Sequence, residues 1–164
     1  MPRFTIPSLL RNRLRFYQNV DVYRHQHLPL KERTMEHIIP VSCSSKDVQL
    51  DIGNLYMTNS RLNGFRSNYR FGGHMDETLA GNWKECQGCF RNTERRVFLP
   101  AHGHRLVAHV LWKMMDKYPE LEQNQWKWIE NQETWDRWLK TPWTPLERHV
   151  LEMNDAVLET TLRV

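Results

Sequence analysis

Hydrophobic and polar positions divide the chain into a few periodic stretches separated by turn formers. Near the start, Leu9, Leu10, Leu14 and Phe16 interleave with Arg11, Arg13 and Arg15. This predicts a short basic helix within residues 8–20, with Ser8 as its N-cap. Thr34 to Val41 carries Ile38-Ile39 before Pro40, which predicts an extended segment ending at the proline. Residues 42–47 read as a loop. Val48, Leu50 and Ile52 alternate with Gln49 and Asp51, a strand pattern. Residues 54–58 read as a turn or helix start, and Asn59 or Ser60 caps a short helix beginning near Arg61. Gly64, Gly72 and Gly73 oppose its continuation. The glycine-rich stretch 72–95 predicts irregular structure, and 96–99 an extended one.

The second half reads as helical. Leu106, Val107, Val110, Leu111 and Met114 fall at helical spacing from Gly103 to Tyr118, and Pro119 stops the pattern. Trp128, Trp135 and Trp138 predict a helix within 121–140 that packs indole rings on the core or on a subunit, with Trp126 and Ile129 as a neighbouring stripe. Trp143 stands in a turn between Pro142 and Pro145. Residues 146–162 form a last helix, with Leu151, Val157, Leu158 and Leu162 expected to be buried. The expected class is therefore α+β. No run approaches 18 apolar residues, so no membrane span is expected.

Composition changes this picture in two ways. The 164 residues suit one domain, and seven Trp, six Phe and five Tyr give a polar chain enough ring area to build a core. Disorder throughout is excluded on that ground. The formal charge is only +4, but it is unevenly spread. Residues 1–35 carry seven basic and two acidic side chains, whereas 112–164 carry seven and ten. Of the 16 basic residues before Trp112, 13 are arginine, the type suited to bidentate phosphate contacts. A basic front is compatible with an anionic partner, and equally with an ordinary solvated surface.

Cys43, Cys86 and Cys89 are an odd count, which argues against a fully paired secreted framework. Cys86 and Cys89 have the spacing of a metal knuckle, and Cys43 with His74, His102 or His104 completes four ligands for a structural Zn²⁺. A redox pair or inert thiols are equally simple readings. The N-terminus carries no recognisable secretory signal, so an intracellular setting is expected, whether nuclear, organellar or within a viral particle.

The chemistry-bearing residues cluster between 36 and 68. Glu36-His37 is followed by Asp51 and Asn54, then by Asn63-Gly64-Phe65-Arg66-Ser67-Asn68. Singly these are ordinary: a surface carboxylate, a satisfied strand histidine, turn asparagines beside glycine. Together they supply what phosphodiester hydrolysis needs. An imidazole deprotonates water, a divalent cation polarises the phosphoryl and leaving oxygens, and arginine clamps phosphate. Mg²⁺ takes oxygen ligands and keeps several waters, so one carboxylate and one amide suffice from the protein. Arg61, Arg66 and Arg70 lie near one helix face, where they contact phosphate or simply face solvent.

The ordered set Glu36-His37-Ile38-Ile39-Pro40, Asp51-Ile52-Gly53-Asn54-Leu55, and Leu62-Asn63-Gly64-Phe65-Arg66-Ser67-Asn68-Tyr69 resembles the signature of the endonuclease I family. These are non-specific nucleases of the ββα-metal (His-Me finger, HNH-like) class. Phe98-Leu99-Pro100 and the stretch from Gly103 to His109 resemble a later segment of that family. The likeness runs across about residues 34–118. It implies a ββα-metal core over 31–118, a basic arm or docking helix before it (1–30), and a Trp-rich helical extension after it (119–164). It also implies roles. His37 is the general base, Glu36 and Asn63 hold Mg²⁺ or Mn²⁺, and Asn54 positions His37. Arg66 braces the site or its phosphate, and Asn68 braces the fold. The implied partner is nucleic acid, above all double-stranded DNA, with a protein partner at the arm or the extension.

The chain also departs from the family. Gly53 stands where the family has His, and His109 where it has Arg. The loop between the first two motifs is short and lacks a basic excursion. His102, His104 and Arg105 are candidate substitutes for the missing phosphate contact. The expected function is a metal-dependent endonuclease of low sequence specificity. The alternative is a weak or inactive nuclease-fold protein that serves as a structural or nucleic-acid-binding subunit of a large assembly.

Overall fold

A computed structural model of the chain describes residues 2–162, with side chains through residue 160. The fold is α+β. The first helix, α1 (Ser8–Tyr17), buries Leu14 and leaves Leu9 and Phe16 exposed. Ser8 is its first residue and not its cap; Pro7 precedes it in extended conformation and makes no side-chain cap bond. Strands β1 (Thr34–His37) and β2 (Leu55–Thr58) pair antiparallel, with Thr34 opposite Thr58 and His37 opposite Leu55. Helix α3 (Ser60–Arg66) follows at once, its N-terminus capped by Asn59, whose side chain accepts from the Leu62 amide at 2.8 Å.

The connection between β1 and β2 corrects the sequence reading. Residues 46–50 form a helix, α2 (Lys46–Leu50), where alternation predicted a strand. Val48 and Ile52 are both buried, but in separate elements: the chain leaves α2 at the extended Asp51, and Ile52 opens a 3₁₀ turn over Ile52–Asn54. Gln49, which a half-buried strand would expose, is fully buried. A second correction concerns β2, expected as a turn or helix start. Its four residues are all buried, so it shows no hydrophobic–polar alternation.

A second sheet has the order β3 (Arg70–Phe71), β6 (Val97–Leu99), β5 (Cys89–Asn92), β4 (Trp83–Cys86). The β3–β6 pair is parallel and the others antiparallel. Residues 128–130 run beside β3: the Phe71 amide donates to Trp128 O at 3.0 Å, and the Glu130 amide to Phe71 O at 2.8 Å. The stretch 72–95 is thus only partly irregular, since it contains the β4–β5 hairpin. Gln87 and Gly88 turn it, both with positive φ (54° and 85°), as a two-residue hairpin turn requires.

Helices α4 (His104–Lys117), α5 (Gln132–Lys140) and α6 (Pro145–Leu162) follow. The segment 119–127 is 3₁₀, with a kink at Asn124, so the Trp-rich region is two elements and not one helix. Gly103 precedes α4 at φ +84°, and a Cβ there would meet Val22 O at 2.8 Å, which ties the helix start to the N-terminal segment. Among the positions expected in α6, Val157 is buried, Leu151 is partly buried and Leu158 is exposed; Leu162 lies outside the described side chains. Glu147, Val150 and Asn154 are buried instead.

Two cores form. One gathers Tyr23, Ile38, Ile39, Phe71, Phe98, Leu111, Trp128, Trp138 and Val150. The other joins Leu14 and Leu28 to Leu55 and Met57 of β2 and Val157 of α6. Both cores therefore draw on the segments before 31 and after 118 as well as on the stretch between. No helix among the described residues is long and apolar enough to cross a membrane.

Candidate active site

Glu36 and His37 end β1, and Asn63 lies in the α3 helix that follows β2. All three line one open pocket of about 320 Å³, with Arg3, Ser42 and Asn68 at its walls. The local sequence produces this directly. Glu36 and His37 are consecutive on β1, opposite Tyr56 and Leu55 of β2, and both line the cleft at the end of the strand.

His37 is held by its far nitrogen. Nε2 lies 3.0 Å from the backbone carbonyl of Gln49. A carbonyl only accepts, so Nε2 carries the proton and Nδ1 is left as the acceptor. Burial lowers the imidazole's pKa below 6.5, the nearby Arg3 and Arg66 charges push the same way, and the bond to Gln49 opposes them. The ring is therefore neutral near pH 7, the state a general base requires.

Glu36 is 3% exposed. Its Oε2 accepts from the Tyr23 hydroxyl at 2.6 Å and lies 3.5 Å from Arg66. Burial raises its pKa, while Arg66 and the Tyr23 hydrogen bond pull it down. Asn63 is oriented by Nδ2, which donates to Met35 O at 2.9 Å and lies 3.4 Å from Thr34 Oγ1. Its amide oxygen takes no hydrogen bond among the described residues. One carboxylate and one free amide oxygen on a common cleft fit a hard divalent cation that keeps most of its water.

Two implied roles take a specific physical form. Asn54 is buried and holds the chain immediately after His37: its Oδ1 accepts from Ile39 N at 2.7 Å, and its Nδ2 donates to Ile39 O at 3.2 Å. It does not touch the imidazole among the described contacts. Arg66 is fully buried and is a brace, not an exposed phosphate clamp. It donates to His37 O at 2.8 Å, Ile38 O at 3.0 Å and Tyr69 O at 2.9 Å, and stacks on Phe71 at 4.3 Å. Asn68 is exposed and accepts from Arg96 at 3.3 Å, so it lines the cleft and does not brace the core.

The remaining sites lie elsewhere. Arg61 is exposed on the first turn of α3. Arg70 donates to Trp126 O and Arg95 O. His102 stacks on His25, His104 on Trp138, and Arg105 lies over Trp143, which His109 also meets edge-on. None of these four α4-side residues lines the cleft of Glu36, His37 and Asn63. Gly53 does not either; it lines a separate pocket between α4 and α6.

The structure does not assemble a zinc set from Cys43, Cys86, Cys89 and His74. Cys86 and Cys89 face each other on the last rung of the β4–β5 hairpin, and all three cysteines are free. Cys89 accepts from the Ala101 amide and points its thiol at Tyr23 O; burial pushes its pKa up to about 12. His74 instead accepts from the Asp76 amide. Among the described residues no group of three or more His, Cys, Asp or Glu side chains is placed to hold a metal ion.

Sequence reasoning missed Tyr23, Gln49 and Arg3. Tyr23 holds Glu36, Gln49 acts through a backbone oxygen that no residue type encodes, and Arg3 reaches the cleft from the N-terminal segment. Gln49 also binds that segment, accepting from Phe4 N at 2.9 Å and donating to Pro2 O at 2.9 Å. Compared with protein-family models, with curated proteins and with solved structures, the chain matches none.

Proposed function

We propose that the chain is a metal-dependent endonuclease that hydrolyses phosphodiester bonds of nucleic acid with little base specificity, on a ββα-metal core formed by β1, β2 and α3. The observation that carries this reading is the meeting of Glu36, His37 and Asn63 on one open cleft, with the Nε2 proton of His37 fixed on Gln49 O. His37 Nδ1 takes the proton of the attacking water. Arg66 and Asn54 keep the carbonyls and amides of residues 37–39 in place, so the imidazole does not wander from its aim. Glu36 and Asn63 hold the cation. When bound, Mg²⁺ or Mn²⁺ supplies Lewis-acid stabilisation of the phosphoryl and leaving oxygens.

Relaxation of supercoiled plasmid with Mg²⁺ or Mn²⁺ tests the reading. His37→Ala is expected to lower nicking by about 10²-fold or more, the usual worth of a general base, with the far-UV dichroism unchanged. Nicking by His37→Ala at the intact chain's rate defeats the assignment.

One observation favours a second reading, that of a nuclease-fold subunit that binds without cleaving. Glu36 already spends Oε2 on Tyr23 and sits beside the Arg66 charge, which competes with a cation for it. In that case the intact chain retains nucleic acid but nicks nothing with either metal.

A further inference from the structure

The candidate cleft continues on both sides. Through Met35, His37 and Asn63 it runs into a depression of about 440 Å³ that Arg3 and Arg11 line. Through Ser42 and Asn68 it adjoins another of about 540 Å³, lined by Arg70, Arg96, Lys127 and Trp126. Arg3, Arg11, Arg70, Arg96 and Lys127 form no salt bridge among the described residues. Arg95 lies in the same wall, but Glu77 and Glu130 hold its charge, and the exposed Glu94 also lines that end. The balance remains strongly positive along the whole path.

Trp126 distinguishes this path from a general basic surface. Trp128 and Trp138 are buried, whereas Trp126 is 44% exposed among the cations. The backbone that carries it is fixed: Arg70 donates to Trp126 O at 3.2 Å and to Arg95 O at 3.1 Å, joining the two walls of the depression. Arg96 lies over the Tyr69 ring at 5.2 Å. An exposed ring on an anchored backbone in a cationic groove is the arrangement on which unpaired bases stack. In a duplex, the faces of the bases are already covered by their neighbours, and an indole at the groove wall does not reach them.

We infer that the three adjoining depressions are one track for a single unpaired nucleic-acid strand. The reacting phosphate lies at Glu36, His37 and Asn63, flanking phosphates lie against Arg3 and Arg11 on one side and Arg96 and Lys127 on the other, and a base stacks on Trp126. The inference rests on the nuclease reading and changes its substrate from duplex to single strand. Arg3, Trp126 and Lys127 lie outside the stretch that carries the family resemblance.

Binding without hydrolysis tests it. Fluorescence anisotropy of a labelled oligothymidylate and of a labelled hairpin duplex is measured over a salt series in the presence of chelator. The single strand is expected to bind about ten-fold tighter than the duplex. Trp126→Ala weakens single-strand binding about ten-fold and leaves the salt slope unchanged, while Trp126→Phe restores most of it. The pair Arg96→Ala with Lys127→Ala reduces the slope of log K against log salt by about 1.4. Equal binding of duplex and single strand, or wild-type affinity in Trp126→Ala, overturns the track. Because no cleavage occurs in chelator, a chain that binds in this pattern but cleaves neither supercoiled plasmid nor single-stranded circular DNA with Mg²⁺ or Mn²⁺ refutes the nuclease reading alone. One that nicks without this pattern refutes the track alone.

Discussion

At the scale of single residues, the cleft depends on groups that never face it. Arg66 is the clearest case: its guanidinium is fully buried, and its three nitrogens donate to the carbonyls of Tyr69, His37 and Ile38. The planar fork aims a separate nitrogen at each of three acceptors, and the same plane lies against Phe71. Arg66→Lys keeps the charge but replaces the fork by one ammonium. Two carbonyls then lose their donor in a dry site beside Glu36. Urea unfolding is expected to show a loss of about 3 kcal/mol, the range for breaking a buried charged network, despite the unchanged formal charge. A loss near zero would mean that the carbonyls are satisfied some other way. Glu36, His37 and Asn63 were legible in the sequence because their side-chain types state their chemistry. Tyr23 and Gln49 were not, since a hydroxyl 13 residues away and a main-chain oxygen acquire their roles only through the fold.

At the scale of elements, the sequence announced those whose burial follows a single period. α4 buries one helical stripe, and its predicted span agrees with the observed one to within a residue at each end. α2, β2 and the β4–β5 hairpin escaped for different reasons. α2 is a single short turn of helix whose burial, Val48 with Gln49, follows no hydrophobic period; β2 is covered on both faces; the hairpin turn is Gln87-Gly88, a dipeptide with weak turn bias at its first position. The Trp-rich stretch predicts a packing surface, and all three indoles at helical spacing do pack: Trp128 and Trp138 are buried, and Trp135 is partly buried against the same core. Trp138 is 1% exposed, stacks on His104 of α4 at 4.7 Å and meets Phe71 of β3 edge-on. That one indole fastens α5 to both the helix and the sheet. Trp138→Ala leaves a cavity at their junction and is expected to cost about 4 kcal/mol in chemical unfolding. Trp126→Ala, at an exposed ring, supplies the control and is expected to cost well under 1 kcal/mol.

At the scale of the whole molecule, a junction of half-buried imidazoles, with the exposed His102 at its edge, joins the N-terminal segment, α4 and the C-terminal helices. His25 stacks on His102, His104 stacks on Trp138 and bonds Pro100 O at 2.7 Å, and His109 meets Trp143. Burial lowers the pKa of His25, His104 and His109 below 6.5. For the first two, Glu147, on α6, opposes the shift; for His109, Lys113 and Arg105 add to it. A lowered folded pKa means that the unfolded chain binds these protons first as pH falls. The stability these residues contribute is therefore complete above pH 6.5 and is lost as pH falls through their folded values. Glu36 and Asp155 have raised pKa values and act with the opposite sign, so a pH profile of the intact chain alone mixes the two. A non-titrating variant separates them. His104→Gln retains an N–H donor for Pro100 O but takes up no proton. Between pH 7.5 and pH 5.5 the urea midpoint of the intact chain is expected to fall further than that of His104→Gln, because the two proteins share every other titrating group and only the intact chain protonates His104. Parallel pH profiles for the two proteins would mean that protonation of His104 costs the fold nothing, and that the junction is held by ring packing alone.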